Sequence, residues 1–216
     1  MNLIEDARDL FLPAACASCR SARAAGGGVW RGLCPDCAQE LRDLRPRLAT
    51  PLHAAPPAVA AGPYAGALAE ALNEYKERSR RELAPALGRL LAGALAVVAP
   101  EVPGAVLVPV PPTAAARRAR GFDHVAGMAA GLGDLRPCLR ARPRPDSVGL
   151  TPAQREEAAR RSLRPARRAI RALAALGRPA VLVDDVVTTG ATLRAAALVL
   201  RDAGIEVPAA VVVAAA

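Results

Sequence analysis

Acidic, hydroxyl and glycine residues follow an apolar run in one short segment near the carboxyl-terminal end of the chain. The apolar run is 181–183, two aspartates follow, and Thr188-Thr-Gly-Ala-Thr192 begins after two more valines. Adjacent carboxylates where a buried strand ends need partners, and two vicinal hydroxyls of a ribose would donate hydrogen bonds to them. Gly190 allows a tight turn, so main-chain amides can surround a phosphate at the positive end of the next helix. The residues expected to bind a ribose are Asp184 and Asp185, and those expected to bind its 5-phosphate are Val187, Thr188, Thr189, Gly190, Ala191 and Thr192.

The alternative for this segment is an ordinary strand–turn–helix in which the polar side chains only cap the helix. Capping accounts for one such residue. It does not account for two acids, three threonines and a glycine in so short a span. A Walker-type phosphate loop is excluded because the sequence has no Gly-x-x-x-x-Gly-Lys.

Four of the five cysteines form two Cys-x-x-Cys pairs separated by fourteen residues: Cys16, Cys19, Cys34 and Cys37. This spacing predicts a structural Zn²⁺ held by four thiolates, with no open position for catalysis. After glycines 26–28, residues 29–31 are expected to form a strand, and the second pair to open a helix, a treble-clef-like order. The alternative is two disulfides, against which the lack of a signal-peptide pattern argues. Cys138 stands apart and is expected to be a buried thiol.

The elements that position these residues are expected to alternate between helices and strands, which indicates an α/β fold with a parallel sheet. Proline-rich residues 45–57 predict a linker between a zinc module at 1–50 and a larger domain at 58–216. Expected loops are the arginine-rich 111–121 and a mobile segment at 140–152. Expected helices are 1–12, 36–44, 65–77, 83–98, 123–132 and 190–203, and expected strands are 106–110, 181–183 and 207–215.

The composition sets wider bounds. The chain has 216 residues, of which 52% are apolar and 23% are charged, so a folded core is expected. A net charge of +9 indicates a polyanionic partner or, alternatively, the arginine bias of a GC-rich genome. The apolar stretch 90–100 is about half as long as a membrane-spanning helix. We therefore expect no membrane span and a soluble, cytoplasmic protein of undetermined oligomeric state.

The segment 181–192 resembles the motif with which type I phosphoribosyltransferases bind phosphoribosyl pyrophosphate (PRPP). With the cysteine pairs, the chain resembles the ComF family of competence-associated proteins. Further segments that carry this resemblance are Tyr64-Ala-Gly66, Glu74-Tyr-Lys76, Val108-Pro-Val-Pro111 and Arg120-Gly-Phe122. The sequence departs from the pattern of that family at three places. Asp123-His124 occupies the position where the family has Asn-Gln, Ser147 replaces a Gln, and Ala158 replaces an Asn.

The resemblance implies a type I phosphoribosyltransferase fold, a Rossmann-like parallel sheet flanked by helices, that binds PRPP with Mg²⁺ and supports DNA uptake. On the pyrophosphate side we expect Arg117, Arg120 and Lys76, the alternatives being a solvated basic loop and a solvent-facing lysine. His124 is expected to cap or pack. The resemblance leaves two activities open. The first is phosphoribosyl transfer to an acceptor that the sequence does not identify. The second is non-catalytic sensing of PRPP or a nucleotide, combined with binding of single-stranded DNA or of DNA-processing proteins.

Overall fold

The computed structural model describes residues 15–22, 27–49, 54–142 and 162–216. A five-stranded sheet with the order β1-β2-β7-β6-β3 forms its centre, and β4 and β5 form a separate pair. The strands are β1 Arg47–Ala49, β2 Ala58–Pro63, β3 Val106–Pro109, β4 Leu139–Ala141, β5 Leu163–Pro165, β6 Ala180–Val187 and β7 Ala209–Ala215. The helices are α1 Pro35–Arg42, α2 Gly66–Glu77, α3 Ala84–Val98, α4 Ala114–Arg120, α5 His124–Ala129, α6 Arg167–Ala174 and α7 Ala191–Arg201, with 3₁₀ turns at Gly28–Trp30 and Arg81–Leu83.

The central sheet is mostly parallel, as the alternation of helices and strands predicts. Strands β2, β7, β6 and β3 are parallel, and only β1 runs antiparallel at one edge. Val181, Leu182 and Val183 of β6 are each at most 1% exposed, because helices cover both faces of the sheet. The expected α/β class and parallel sheet are thus confirmed.

Two apolar cores lie on opposite faces of this sheet. Val181 and Val183 belong to the core that contains Leu72 of α2 and Leu87 of α3. Leu182 belongs to the core on the other face, which α6 and α7 cover. Alternate side chains of a strand point to opposite faces, so one strand joins both cores. This packing fixes the end of β6, where the two aspartates lie.

Three expected helices are confirmed within a residue or two at their ends. They are α2, α3 and α7, whose apolar residues recur at helical spacing and are buried on one side. Gly190, in the left-handed region at φ 81°, precedes α7 and starts it. The strand expected at 106–110 is β3, and it ends at its proline, Pro109, which has no N–H to donate within a sheet. The expected helix at 123–132 is shorter, His124–Ala129, with Asp123 as its N-cap.

The expected loop at 111–121 is wrong, because most of it forms α4. The hydroxyl of Thr113 accepts the main-chain N–H of Ala116 at 3.1 Å, which caps the start of this helix. Alanine and arginine then favour the helical state, and Gly121 at φ 72° ends it. The basic residues at 117, 118 and 120 therefore lie on a helix.

The expected strand at 29–31 is also wrong. Gly28 has φ 62° and Gly32 has φ 85°, so the chain turns at both ends of this segment. The carbonyl of Gly28 accepts the N–H of Arg31 at 3.3 Å, and Gly28–Trp30 forms a 3₁₀ turn. The helix expected after the second cysteine pair is present as α1, with Cys34 as its N-cap.

The remaining differences are strands. The predicted strand 181–183 extends to Val187, so both aspartates lie within β6 and not after it. The sequence pattern missed β1, β2, β4 and β5, because they are short or consist mainly of alanine. The expected helix 1–12, His53 and residues 143–152 of the expected mobile loop lie outside the described residues.

The cysteine-containing segment packs directly against α2 and the turn after it. The hydroxyl of Ser18 donates to the carbonyl of Ala67 at 2.9 Å, and Arg80 donates to the carbonyl of Ala15 at 2.8 Å. The buried carboxylate of Glu74 pairs with Arg20 at 2.8 Å. The division of the chain into a zinc module at 1–50 and a larger domain at 58–216 stays a prediction. Strand β1, which lies at the end of the first range, pairs with β2 of the second. Among the described residues, none of the helices has both the length and the apolar character to cross a membrane.

Candidate ligand and metal sites

The carboxylate of Asp185 is the centre of a buried polar group from three elements. Nε2 of His124, at the start of α5, lies 2.6 Å from its Oδ2, and Nζ of Lys76, near the end of α2, lies 2.8 Å from the same oxygen. Its Oδ1 accepts the main-chain N–H of Val186 at 2.6 Å. Asp185 is 8% exposed and His124 is 5% exposed, so water screens these contacts little. Lys76 therefore does not face solvent but holds one of the two predicted ribose-binding acids.

The two aspartates differ in how readily they ionise. Burial and the charge of Asp185 raise the pKa of Asp184 well above its ordinary value. Burial also acts to raise the pKa of Asp185, but the hydrogen bond from His124 and the charge of Lys76 outweigh it and hold this pKa below its ordinary value. The pair thus favours one charge, on Asp185, over two.

His124 is held in place by its own backbone. The carbonyl of His124 accepts the hydroxyl of Tyr75 at 3.0 Å, and Tyr75 is fully buried. The carboxylate of Asp123 accepts the N–H of Ala126 at 3.1 Å and caps α5. A Cβ added to Gly127 would lie 2.7 Å from the hydroxyl of Tyr75, so this close approach needs glycine. Adjacent residues of α2 therefore fix the helix that carries His124 and contact Asp185.

The arginines expected on the pyrophosphate side have different environments. Nε of Arg120 donates to the carbonyl of Lys76 at 2.9 Å, and its Nη2 pairs with Glu77 at 3.1 Å. Its Nη1 lies 3.5 Å from Nδ1 of His124. Arg120 therefore braces the end of α2 beside the acid pair. Arg117 is exposed on α4, and the structure does not bring it into this group.

The predicted phosphate loop leaves β6 and enters α7. Thr188 and Thr189 are exposed, whereas Gly190 is buried. The hydroxyl of Thr189 accepts the N–H of Ala191 at 3.4 Å. The first amides of an α-helix have no partner within the helix, so those at the start of α7 face the turn. Thr192 is half-buried in the first turn of α7. The loop is thus open to solvent and directly follows the acid pair.

The unpredicted strand β1 brings another cation to this loop. Arg47, Val187 and Thr188 line one groove of about 260 Å³, together with the end of β7. Val187 also accepts the N–H of Ala216 at 3.0 Å through its carbonyl. Arg47 belongs to the segment expected to be a linker. It is therefore a basic residue near the phosphate loop that the sequence pattern did not reveal.

The four predicted metal ligands lie together. The sulfur atoms of Cys16, Cys19, Cys34 and Cys37 are all within 4.8 Å of one another. Sγ of Cys19 and Sγ of Cys34 are 3.7 Å apart. Zinc bound tetrahedrally at about 2.3 Å separates two sulfur ligands by about 3.8 Å, so the spacing fits. The four cysteines could hold a metal ion such as zinc.

The chemistry of the donor set agrees with this fit. All five cysteines are free, so the two-disulfide alternative is not realised. Sγ of Cys16 accepts the N–H of Cys34 at 3.3 Å, and hydrogen bonds from Ser21 lower the pKa of Cys19 to about 6. Burial and the neighbouring thiols raise the pKa of Cys37. Ligand thiols must ionise to bind a metal, and a divalent cation compensates the clustered charge. Cys138, outside the cluster, is 1% exposed, and burial raises its pKa to about 11.

Sequence reasoning missed the role of His124, which it assigned to capping or packing. The residue that caps α5 is Asp123, and His124 points its imidazole at an acid 61 positions later in the chain. The signal was the position of the histidine directly after the Arg-Gly-Phe-Asp segment, but its partner is visible only in three dimensions.

Comparison of the chain with protein-family models and with curated proteins finds no match.

Proposed function

We propose that this protein binds PRPP at the end of β6, in the manner of a ComF-type phosphoribosyltransferase-like protein that supports DNA uptake. One observation carries the proposal. An acid held ionised by Lys76 and His124 lies in the strand that leads into an exposed threonine–glycine turn and a helix amino terminus. Only two strand residues thus separate the carboxylate, which would bind a sugar hydroxyl, from the main-chain amides, which would bind a phosphate.

Each residue then has a distinct role. Asp185 accepts a hydrogen bond from a ribose hydroxyl on the free lone pair of Oδ1, and Asp184 binds the neighbouring hydroxyl. The amides of 188–192 and the exposed hydroxyls of Thr188 and Thr189 bind the 5-phosphate. When a hydroxyl approaches Asp185, the ammonium group of Lys76 can turn towards the diphosphate. Arg120 positions Lys76 through its bond to the carbonyl of that residue.

Metal ions have two different places in this proposal. Mg²⁺ prefers oxygen ligands and keeps substrate phosphates among them. Asp184 and Asp185 are the oxygen donors that fit it here, and the ion would neutralise charge on the diphosphate. Zn²⁺ at the four cysteines is structural, because four thiolates leave no open position. It stabilises a segment too short to form a core of its own.

The second candidate is a non-catalytic module that senses PRPP or a nucleotide and binds single-stranded DNA. One observation favours its non-catalytic character: the described aromatic side chains form no surface on which a nucleobase acceptor could stack, and single-stranded DNA would be held through its phosphates. Tyr75 packs on Phe122 with ring centroids 5.2 Å apart, Arg42 covers Trp30, and the hydroxyl of Tyr64 donates to Asn73. A transferase for nucleobases needs a surface on which its acceptor can stack.

Three measurements test these functions. Calorimetric titration with PRPP and Mg²⁺ should show binding to the wild type, and no binding would reject the proposed ligand. Incubation with PRPP, Mg²⁺ and a panel of nucleobases and amines then distinguishes the candidates. Pyrophosphate release indicates a transferase, whereas binding without release indicates the sensing module. For the latter, the affinity for single-stranded DNA should fall steeply with salt.

A further inference from the structure

A second basic site lies where the β4–β5 pair meets α6. A groove of about 900 Å³ is lined by five arginines from these elements and from the residue after β4, and none of the described residues that line it is acidic. The arginines are Arg140, Arg142, Arg164, Arg167 and Arg168. All five are exposed. Nothing in the ribose phosphate proposal uses this groove.

The arginines face one another at an electrostatic cost. Arg140 and Arg164 are register partners in the antiparallel β4–β5 pair, so two guanidinium groups stand directly opposite each other. Like charges in such a cross-strand pair are destabilising. Within the part of the chain that the structure describes, no carboxylate forms an ion pair with either arginine, which favours an anion from outside the chain at this site.

The start of α6 adds a second cost of the same sign. This helix begins with Arg167 and Arg168, has no acidic residue in its first turn, and its N-cap Ala166 supplies no side-chain cap. Helix amino termini carry partial positive charge and favour acids, not arginines. The free amides of the first turn and the two guanidinium groups therefore all favour an anion at this end of the groove.

Several arginines elsewhere in the described residues are paired with acids. Arg20 contacts Glu74, Arg120 contacts Glu77, and Arg136 and Arg178 both contact Asp134. Among the described residues, the five groove arginines form no such ion pair. Five arginines without an ion pair among the described residues thus line one groove.

We propose that this groove is a binding site for a small ligand with several linked phosphates, separate from the ribose phosphate site. Planar guanidinium groups match phosphate oxygens in pairs of hydrogen bonds. The groove has the volume of a small-ligand site, which is about 300–1,000 Å³, and not the length of a nucleic-acid track. Its lining contains no aromatic residue, so it recognises phosphates and not bases. Strand β5, which lines the groove, packs on α7, the helix that begins at the phosphate loop.

Inorganic tripolyphosphate is the probe, used with the full-length, zinc-loaded chain. We expect calorimetric binding that weakens with salt, and an affinity about tenfold lower in R164Q/R168Q. The matched control R89Q/R171Q removes the same charge from exposed arginines outside the groove and should bind like the wild type. D185N should also keep its tripolyphosphate affinity, which separates this proposal from the ribose phosphate site.

A second readout does not depend on the ligand. Without tripolyphosphate, R164Q/R168Q should melt at a higher temperature than the wild type, because it removes mutual repulsion. Adenosine triphosphate should bind no more tightly than tripolyphosphate. Unchanged tripolyphosphate affinity in R164Q/R168Q, or an equal loss in the control, would overturn the proposal. The proposal would also be overturned if these arginines bound a single-stranded oligonucleotide while the protein did not bind tripolyphosphate.

Discussion

The imidazole of His124 lies 2.6 Å from the carboxylate of Asp185, and both side chains are buried. The two residues are 61 positions apart, on the first residue of α5 and in the second half of β6. Lys76 approaches the same carboxylate oxygen from α2. Three elements therefore meet at one acid, and the orientation of that acid depends on all three.

Replacing His124 tests its role as a positioning residue. H124A removes one of the two side chains that hold Asp185, and loss of a hydrogen bond to a charged group costs about 1.5–3 kcal/mol, so PRPP should bind at least about tenfold more weakly. H124Q keeps an N–H donor and should restore much of the affinity. Calorimetric titration from pH 6 to 8 measures both. Equal PRPP affinity in H124A and the wild type would show that His124 does not position the acid.

Asp184 should make stability depend on pH in a defined direction. Its pKa is raised in the folded state, so its contribution is complete below the pKa of the unfolded chain and is lost as pH rises towards the folded value. D184N removes this loss. The variant should therefore gain stability over the wild type above about pH 4, by up to about 1.4 kcal/mol per pH unit. Urea unfolding at pH 4, 6 and 8 checks it, and an advantage that shrinks with rising pH would contradict the assignment.

The contact between Gly127 and Tyr75 should behave as a coupled pair. In G127A the added methyl meets the buried hydroxyl of Tyr75, and such overpacking costs about 1–3 kcal/mol. Y75F removes the hydroxyl and with it the clash. The double variant should lose less free energy of unfolding than the sum of the losses in the two single variants. Strictly additive free energies of unfolding would mean that this contact does not hold α5.

The cysteine cluster should hold one metal ion that stabilises the fold. We expect about one zinc per chain by elemental analysis, lost in C37A together with a lower melting temperature. C138A is the matched control, because Cys138 is buried outside the cluster. It should keep its zinc. A C37A protein with full zinc content, or a metal-free wild type with unchanged melting, would contradict a structural metal centre.

The sequence predicted the parts of this molecule that local patterns determine. Apolar residues at helical spacing located α2 and α3, a continuous apolar run located β6, and the spacing of the cysteines located the metal ligands. Strand β2 and helix α4 are examples of elements that escaped prediction because their signal was weak or misleading. Strand β2 reads Ala58-Val-Ala-Ala-Gly-Pro63 and has only one of the branched residues typical of strands, Val59. The basic character of α4 suggested a loop, although its alanines and Thr113 cap favour a helix.

Only the residues of the candidate site that are adjacent in the sequence could be predicted. Asp184, Asp185 and the threonine–glycine turn are contiguous, so their pattern was visible. The partners of Asp185 come from positions 76 and 124, and no local pattern connects residues so far apart. Arg47 near the phosphate loop depends on the pairing of β1 with β2, which the prolines around it concealed.

The central claim is that Asp185 binds the hydroxyl groups of a ribose whose phosphate lies in the adjacent loop. The most direct test is titration of wild type and D185N with ribose 5-phosphate and with 2-deoxyribose 5-phosphate, with E77Q as a matched control and thermal melting to check folding. We predict that the wild type and E77Q prefer the ribose sugar, and that D185N binds both sugars equally and weakly. A D185N protein that is folded and keeps the wild-type preference would contradict the claim.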